Sequence, residues 1–473
     1  RGAVPSQPQL LPLDRSGVLT MTPLVKVSRL VVALVVVGGA ACSFDIANPN
    51  SPDIIGENPN RSQVAASSIG LLIATRSDVA DWALDGALLG REGYRFDGSD
   101  PRFTGEMMQG PLDPGSRAFG GDHWAESYAA IRSANNLLAV IGTASALSAE
   151  EQNAVRGYAH TLQAYNLLIV LDAHTQDQIP IDVGTDVTAP PAPLATNAEA
   201  YTRVIQLLDG AVPELVGGGA AFPFTLPPGF NGFNTPATFA QFNRALRARV
   251  AVYRADYAGA LTYLSESFIL NPVAPLDLDL GVYVDFSAGP GDLPNPLALD
   301  PRVGENFGNP LLRTQAQLQV DGVSLDRRFL TKLITRPLRS AGTPQALNSD
   351  LGWIRYPSPN SPIPLIKNEE LILLRAEANL GLLNPAAAVT DIDLVRTTSG
   401  NLPAYSGPVD QASVLAELLY NKRYSLMYEG AHSWIDYRRY GLTALLTGLD
   451  RPGPPPDTIF PTLPIPTAEL LPR

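Results

Sequence analysis

The residues Glu370-Leu-Ile-Leu-Leu-Arg375-Ala376-Glu377-Ala378 lead through Gly381 to Ala386-Ala-Ala388, which is the pattern of two packed helices. Apolar residues recur at helical intervals on both sides of Gly381, and small residues stand where two helices would cross. The segment from Phe242 to Leu261 repeats the pattern. Both units resemble the helix pairs of tetratricopeptide repeats, which are about 34 residues long. We therefore predict a mostly α fold of tetratricopeptide-like helical pairs, with long irregular loops and a few short strands.

Helical periodicity extends over most of the remaining chain. It marks residues 62–89, 123–141, 148–172, 197–215, 236–268, 367–383, 385–397 and 410–430. Segments rich in proline and glycine interrupt these helices at about 90–120, 216–236 and 271–325. Within them only 281–286 has the pattern of a strand. We expect residues 61–473 to form a single helical domain with these loop insertions, ending in a loop that closes at Pro461–Pro466.

Cys42 is the only cysteine, and the residues before it are arranged as a secretion signal. A short basic start at Met21–Arg29 precedes an apolar run at Leu30–Val37 and the small residues Gly38–Ala41. The apolar run is too short for a transmembrane helix, which needs about 20 residues. The chain is therefore expected to work outside the cytoplasm.

These N-terminal features divide the start of the chain into three parts. We predict an upstream extension from a miscalled start at 1–20 and a lipoprotein signal peptide at 21–41. An extended tether at 42–60 then begins with lipidated Cys42. Ordinary cleavage before a free Cys42 is the alternative, because Gly39 stands where bacterial lipoproteins usually have leucine.

The composition narrows the classes of function. The formal net charge is −12, which argues against nucleic-acid binding because phosphate recognition needs a basic face. The four histidines stand singly, and neither a glycine-rich phosphate loop nor a Gly-x-Ser-x-Gly motif occurs. We predict no enzyme activity, no catalytic residue, no cofactor and no transition-metal site. The acidic segment Leu276–Asp285 is a candidate for structural calcium, although it lacks the spacing of an EF-hand.

Four stretches together resemble the SusD/RagB family of nutrient-uptake lipoproteins of the outer membrane. The first is Trp124–Leu138, with its Tyr, Ile and Ala-Asn pair, and the second runs from Ile363 to Ala378. The third and most specific runs from Arg423 to Gly441, and the fourth is Pro464-Ile465-Pro466 with a following Glu469. Their order and spacing hold across nearly the whole chain after the signal. Lys367 is a departure, since the family tends to have arginine there.

The resemblance implies a helical fold whose ligand surfaces are built from loops, and a position on the outer face of the outer membrane. It implies that the chain caps a SusC-like TonB-dependent transporter and delivers oligosaccharides or, in some members, peptides. Family members catalyse no reaction of their own. The expected partners are therefore the SusC-like barrel and an oligosaccharide or peptide ligand, with membrane contact through the lipid anchor only.

The third stretch contains what we call the C-terminal signature, defined as Arg423, Glu429, Gly430, Trp434, Asp436 and Arg438. We expect it to be structural, with the Trp434 ring in the core and buried charge-assisted pairs around it. Trp124 lies on a helix beside Tyr128 and is expected in the core for the same reason. Contact of the signature with ligand is the alternative.

Ligand-binding candidates are sought among loop aromatics, because a sugar stacks its apolar face on a ring while polar neighbours bond its hydroxyls. Three clusters fit this description: Tyr94 and Phe96 with Arg95 and Asp97; Phe230 and Phe233 with Asn231; and Trp353 and Tyr356 on either side of Arg355. In each cluster, aromatics that pin a long loop to the body are the alternative. Some of these loops could equally face the transporter.

Two other classes of function stay open at this point. One is a helical-repeat scaffold lipoprotein of envelope assembly, although such proteins usually have short loops rather than segments like 90–120 and 271–325. The other is a secreted glycosidase, whose paired carboxylates would be defined only in space. The sequence does not name the ligand.

Overall fold

The computed structural model describes residues 55–470, except 116, 187, 271–275 and 343–344. The extension predicted at 1–20, the signal peptide at 21–41 and the lipidation site Cys42 lie outside the described residues, as does most of the tether. None of the described helices combines the length and the apolar character that a membrane span requires.

Side-chain caps set the start of the long helices. Asn60, Ser148 and Thr196 each accept a hydrogen bond from the backbone N–H three residues later, and the residue there caps back. The helices are α1 (Arg61–Leu89), α2 (Glu106–Gln109), α3 (Asp122–Ile141), α4 (Ala149–Ala173), α5 (Asn197–Val216), α6 (Pro236–Tyr253), α7 (Tyr257–Glu266), α8 (Leu311–Thr314), α9 (Arg327–Lys332), α10 (Asn368–Gly381), α11 (Pro385–Thr398), α12 (Gln411–Leu426) and α13 (His432–Arg439).

The predicted helices are confirmed to within two residues at their ends, except that α12 ends at Leu426 and not near 430. Residues 432–439, which lie in the region predicted as a loop, form α13 instead. This helix has eight residues, so it is too short for a helical period to stand out in the sequence.

Consecutive helices pack on one another, from α3 through α7 and again from α10 through α12. Small residues permit a close approach at two helix contacts, one between the two series and one within the first. A Cβ atom at Gly381 of α10 would overlap the ring of Tyr257 on α7, and one at Gly157 of α4 would overlap Leu215 of α5. The mostly α fold of helical pairs is therefore confirmed, and glycines occupy two of the close approaches.

Short strands complete the fold. They are β1 (Gly93–Arg95), β2 (Ile179–Pro180), β3 (Leu194–Ala195), β4 (Gly281–Val284), β5 (Asn306–Gly308), β6 (Leu333–Ala341), β7 (Leu347–Trp353) and β8 (Ile363–Lys367). One antiparallel sheet has the order β1-β5-β7-β6, while β2 pairs with β3 and β4 with β8. The strand predicted at 281–286 is confirmed as β4.

Two of the predicted loop insertions are joined through this four-stranded sheet. β1 belongs to the segment 90–120 and β5 to 271–325, and they pair with Tyr94 opposite Phe307. The sequence pattern does not predict β6, because Pro337 interrupts it and most of its side chains are exposed. Without an alternating apolar face, a strand leaves little periodic signal.

Candidate functional site

A wide cleft opens on one face of α3. The cleft, which we call the α3 cleft, has a volume of about 980 Å³, within the range typical of ligand pockets. The loop between β2 and β3 and the C-terminal segment 466–469 form its other walls. From α3 the lining residues are Trp124, Ala125, Tyr128, Ala129 and Arg132.

These five positions recur every three or four residues and therefore lie on one face of the helix. Ala125 and Ala129 are exposed, and their small side chains leave the floor of the cleft open. Trp124 is buried, as expected, with its ring 5.0 Å from that of Tyr128. The half-buried Tyr128 ring thus rests on a rigid base.

Side chains of α3 hold the opposite wall in place. Tyr128, Arg132 and Asn135 follow one another at helical spacing, and each donates a hydrogen bond to a backbone carbonyl of the β2–β3 region. The acceptors are Pro180, Gly184 and Val183, at 2.7, 3.1 and 2.6 Å respectively. The cleft is therefore bounded by a loop that the helix itself positions.

The polar groups of the α3 cleft suit a ligand rich in hydroxyls. The Asp182 side chain is 73 % exposed and lies 3.6 Å from Arg203, so its carboxylate can still accept hydrogen bonds from a ligand. Asp186 also lines the cleft as an acceptor, and Arg132 supplies donors. Pro190, Pro191 and the Tyr128 ring add the apolar surface on which a sugar ring can rest.

A second groove differs in character. It lies between α1, the turn at 225–230 and the loop at 283–293, has a volume of about 970 Å³ and is lined mainly by apolar side chains. Ile73 and Leu293 are 51 % and 64 % exposed on it. Its charged groups include Arg76 and Asp292, which form an ion pair at 2.6 Å. This groove offers few partners for hydroxyl groups.

The structure corrects the prediction that the first aromatic cluster is exposed on a loop. Tyr94 and Phe96 are 2 % and 3 % exposed, because the Tyr94 ring stacks on that of Phe96 and the Phe96 ring lies 4.6 Å from that of Phe307 on β5. Arg95 and Asp97 form an ion pair at 3.0 Å, and the Arg95 side chain stays 25 % exposed. Ligand binding by these two polar residues stays a prediction.

The second cluster is also turned inward. The rings of Phe230 and Phe233 are buried, the first stacked on Phe239 and the second edge-on to Phe268. Phe230 forms part of the wall of the apolar groove, whereas Asn231 is exposed to solvent. Because helix α6 needs apolar partners at this point, the aromatics of the loop serve the core.

The third cluster is buried as well. The Trp353 ring stacks on that of Tyr428 with centroids 4.4 Å apart, and the Tyr356 hydroxyl donates to the Tyr428 carbonyl at 2.8 Å. Both rings are therefore closed to a ligand in this structure. Only Arg355, between them, reaches a cleft.

The two carboxylates of the C-terminal signature, Glu429 and Asp436, form ion pairs with lysines that lie outside the signature. They do not pair with the signature's own arginines. Glu429 lies 3.0 Å from Lys332, and Asp436 lies 2.8 Å from Lys422. Burial alone would raise the pKa of the Glu429 carboxyl. The surrounding cations outweigh that effect and hold its pKa well below the usual range.

The remaining members of the signature fix the C-terminal segment. The Trp434 indole N–H donates to the Phe460 carbonyl at 2.8 Å, and the Arg438 guanidinium lies 4.0 Å from the Trp434 ring centroid. Arg423 donates to the Arg91 carbonyl at 2.9 Å. Gly430 leads from Glu429 towards α13. The signature therefore joins α1, α12 and the C-terminal loop.

A buried histidine–carboxylate cluster is the arrangement nearest to catalytic chemistry. His123 Nδ1 lies 2.6 Å from Asp78 Oδ1, and its Nε2 lies 3.3 Å from Asp85 Oδ2. The His123 side chain is 1 % exposed, so a substrate could not reach it. Within the described ranges, no group of three His, Cys, Asp or Glu side chains is placed to hold a metal ion, and the calcium candidate 276–285 is no exception.

Sequence reasoning missed the α3 cleft, although a signal for it exists. Ala125 and Ala129 stand one turn apart on the face that also carries Tyr128 and Arg132. Two small residues among larger ones on an amphipathic helix indicate either close helix packing or an open floor. The sequence alone does not distinguish the two, because the distinction depends on which loop lies opposite.

No family profile matches the chain, and no curated protein matches it in sequence. Among solved structures, a SusD superfamily protein from Bacteroides vulgatus matches with a TM-score of 0.67 at 15% identity, covering 88% of this chain and 97% of that one. A SusD-like carbohydrate-binding protein from Bacteroides fragilis matches with a TM-score of 0.66 at 15% identity, covering 87% and 98%.

A laminarin-binding SusD-like protein matches with a TM-score of 0.63 at 16% identity, covering 87% of this chain and 97% of that one. Identities this low show the fold alone. The likeness spans nearly the full length of each of these proteins, so it concerns the whole architecture and not one motif. The chain therefore has the SusD-like fold.

Proposed function

We propose that the chain is the lipid-anchored, cell-surface binding subunit of a TonB-dependent nutrient importer. It captures an oligosaccharide and hands it to a SusC-like barrel in the outer membrane, without chemistry of its own. The SusD-like fold supports this proposal, since two proteins with that fold are described as carbohydrate-binding and laminarin-binding. The signal at 21–41 followed by Cys42 supports the anchor.

The observation that carries the proposal is the α3 cleft. Its volume of about 980 Å³ has room for more than one sugar ring, and it is open along one side. Carboxylates, a guanidinium and a half-buried tyrosine lie around a floor of small residues. The apolar groove beside α1 lacks this mixture, so we assign the oligosaccharide to the α3 cleft.

A filling substitution tests this assignment without removing a contact. Ala129 is exposed on the floor of the cleft, so Ala129→Tyr places a ring where the ligand would lie. Ala139 is exposed on the same helix and does not line the cleft, so Ala139→Tyr is the matched control. Binding to a panel of oligosaccharides, measured by calorimetry, should fall at least tenfold in the first variant only. Equal binding by both variants would refute the site.

The anchor is tested by cell fractionation. The wild-type protein should incorporate radiolabelled palmitate and sediment with membranes, whereas Cys42→Ser should lose the label and appear in the soluble fraction. Unlabelled wild-type protein would contradict lipidation. Co-purification of a TonB-dependent barrel with the tagged chain tests the transporter partner in the same cells.

A further inference from the structure

A smaller cleft lies beside the C-terminal signature and shares no lining residue with the α3 cleft. Its volume is about 390 Å³, near the lower end of the range for ligand pockets. We call it the Glu429 cleft. Its wall includes the charged residues Lys332, Arg355, Lys367 and Glu369 together with Glu429.

Three cations converge on one carboxylate in this cleft. Lys332 Nζ and Lys367 Nζ each lie 3.0 Å from a Glu429 oxygen, and Arg355 Nε lies 2.8 Å away. Glu369 adds a second carboxylate, 3.1 Å from Lys367 Nζ. All four residues other than Arg355 are nearly buried, so the charges are held in fixed positions.

Inside its rim, the cleft has one more cation than carboxylate. Arg328 also lines it, but Asp326 neutralises that guanidinium at 2.6 Å. The other three cations face two buried carboxylates. A third carboxylate, Asp279, stands at the rim with its side chain 82 % exposed and 3.8 Å from Lys367. Solvent therefore screens Asp279 more than the charges inside.

The ammonium group of Lys332 responds to this excess. Burial lowers its pKa to about 8, and the neighbouring Lys367 and Arg355 act in the same direction against the attraction of Glu429. Its three donors are occupied by Glu429 and by the carbonyls of Tyr424 and Ser425. Lys332 therefore adds to the positive electrostatic potential of the cleft, but its three N–H donors are already used within the protein.

Arg355, in contrast, has N–H groups that can donate hydrogen bonds to a ligand. Its Nε is bonded to Glu429, and its guanidinium lies 5.0 Å from the Tyr356 ring centroid. Among the described residues, neither of its two Nη atoms has a hydrogen-bond acceptor, and the side chain is 22 % exposed. A guanidinium held in this way can bind a carboxylate through two parallel hydrogen bonds.

The uncharged lining resembles a sugar site more than a site for a bare ion. Hydroxyl-bearing Thr331, Ser361 and Ser399 line the cleft, and Pro357 and Pro362 add C–H surfaces. Hydroxyls can donate to and accept from a sugar, and proline rings can contact its apolar face. The small volume favours a single ring over a long chain.

We propose that the Glu429 cleft is a second binding site, one that takes a carboxylate-bearing sugar unit such as a uronate. The two Nη groups of Arg355 bind the carboxylate, Lys367 and Lys332 supply the surrounding positive charge, and Glu429 holds the guanidinium in place. The site goes beyond the oligosaccharide site of the α3 cleft. A negative result at the Glu429 cleft would not argue against the oligosaccharide site, because the two sites are tested by different variants.

Calorimetric titration of the full chain with three probes at equal ionic strength tests the proposal. Methyl β-D-glucuronide should bind at least tenfold more tightly than neutral methyl β-D-glucoside, and more tightly than sulfate. Equal binding of glucoside and glucuronide would overturn the role of the carboxylate. Sulfate binding as tightly as glucuronide would overturn the role of the sugar.

Variants locate the binding to this cleft. Arg355→Gln should weaken glucuronide binding at least tenfold, while Arg339→Gln, at an exposed arginine on β6, should leave it unchanged. Arg355→Lys keeps the charge beside Glu429 and should bind at an intermediate level, because lysine lacks the fork. Unchanged binding by Arg355→Gln would overturn the site.

Asp279→Asn provides a readout that a purely structural role for the cleft would not produce. Removing the rim carboxylate lowers the repulsion of an incoming anion, so glucuronide should bind two- to threefold more tightly and glucoside equally well. This variant changes an exposed side chain and should fold normally. Weaker or unchanged glucuronide binding would contradict the electrostatic argument.

Discussion

Glu377 and Glu429 are two buried carboxylates with similar partners and different surroundings. Glu377 lies 2.7 Å from Lys422 and 2.9 Å from Arg439, and its side chain is 0 % exposed between α10, α12 and α13. Glu429 also binds several cations, but it stands on the wall of a cleft. In these two clusters the same kind of ion pairing lies inside the helical body in one case and beside an open cleft in the other.

The difference shows why a buried ion pair does not by itself indicate a function. Burial costs each charged group several kcal/mol, which only well-placed partners repay. Around Glu377 those partners hold three helices in register. Around Glu429 they also leave Arg355 with free donors, so the same kind of cluster can serve a ligand.

The largest expected loss of stability follows from a substitution in the buried cluster around Glu377. Glu377→Gln removes one of the two carboxylates that Lys422 and Arg439 share, the other being Asp436, at a site where the Glu377 side chain itself is fully buried. We expect a loss of about 3–5 kcal/mol in the free energy of unfolding, measured by urea denaturation. A loss below about 1 kcal/mol would show that water already solvates the charged groups around Glu377.

The cluster around Glu429, which borders a cleft, should lose less stability when its carboxylate is removed. An added small carboxylate should restore part of that loss. Glu429→Gln should cost about 1–3 kcal/mol, because water can enter the cleft and solvate the freed cations. Formate, compared with chloride at equal ionic strength, should restore about 1 kcal/mol of this loss by replacing the carboxylate. Glu377→Gln is the control and should gain nothing; equal rescue of both variants would remove the distinction.

A third buried carboxylate gives a pH-dependent test. Burial raises the pKa of Glu92 to about 7, against hydrogen bonds from Tyr428 and Ser433 that favour its ionised form. Between about pH 4.5 and 7 the unfolded chain releases this proton while the folded chain keeps it, so Glu92 makes stability fall as pH rises.

Glu92→Gln removes this penalty. Relative to wild type, its free energy of unfolding should rise by about 1–3 kcal/mol between pH 4.5 and 7.5. Glu266→Gln, at an exposed glutamate on α7, should show no such trend. A variant that loses stability relative to wild type as pH rises would mean that Glu92 is ionised in the fold and belongs with the paired carboxylates.

The smallest effect concerns the helix crossing one turn beyond Glu377. Gly381→Ala would press a methyl group against the half-buried ring of Tyr257, which can move aside only in part. We expect a loss of about 1–2 kcal/mol by thermal denaturation. At Gly210, in the exposed interior of α5, a Cβ would meet nothing within 4 Å, so Gly210→Ala should instead stabilise by up to about 1 kcal/mol.

The helical body could be predicted from the sequence because its signals are local. The capping box at Ser148 and Glu151 and the small residues around Gly381 act within a few turns of their own positions. The four-stranded sheet could not be predicted, since β1 and β5 are about two hundred residues apart and each has three residues. Short strands of this kind are defined by their partners.

The candidate sites show the same limit. Trp353 and Tyr356 have the composition of a sugar site, yet they pack against Tyr428, which follows about seventy residues later. Composition does not tell which face of a loop turns inward. Arg355, between them, does line a cleft. The prediction was therefore wrong for the two aromatic rings, although the residue between them is accessible.

Capture without chemistry is best tested by measuring how the purified chain binds an oligosaccharide and in what form the oligosaccharide is recovered. We expect a ligand that binds wild type and Ala139→Tyr equally, binds Ala129→Tyr at least tenfold more weakly, and is recovered with its chain length unchanged. Undiminished binding by Ala129→Tyr would contradict the site, and recovery of shortened chains would contradict capture without chemistry.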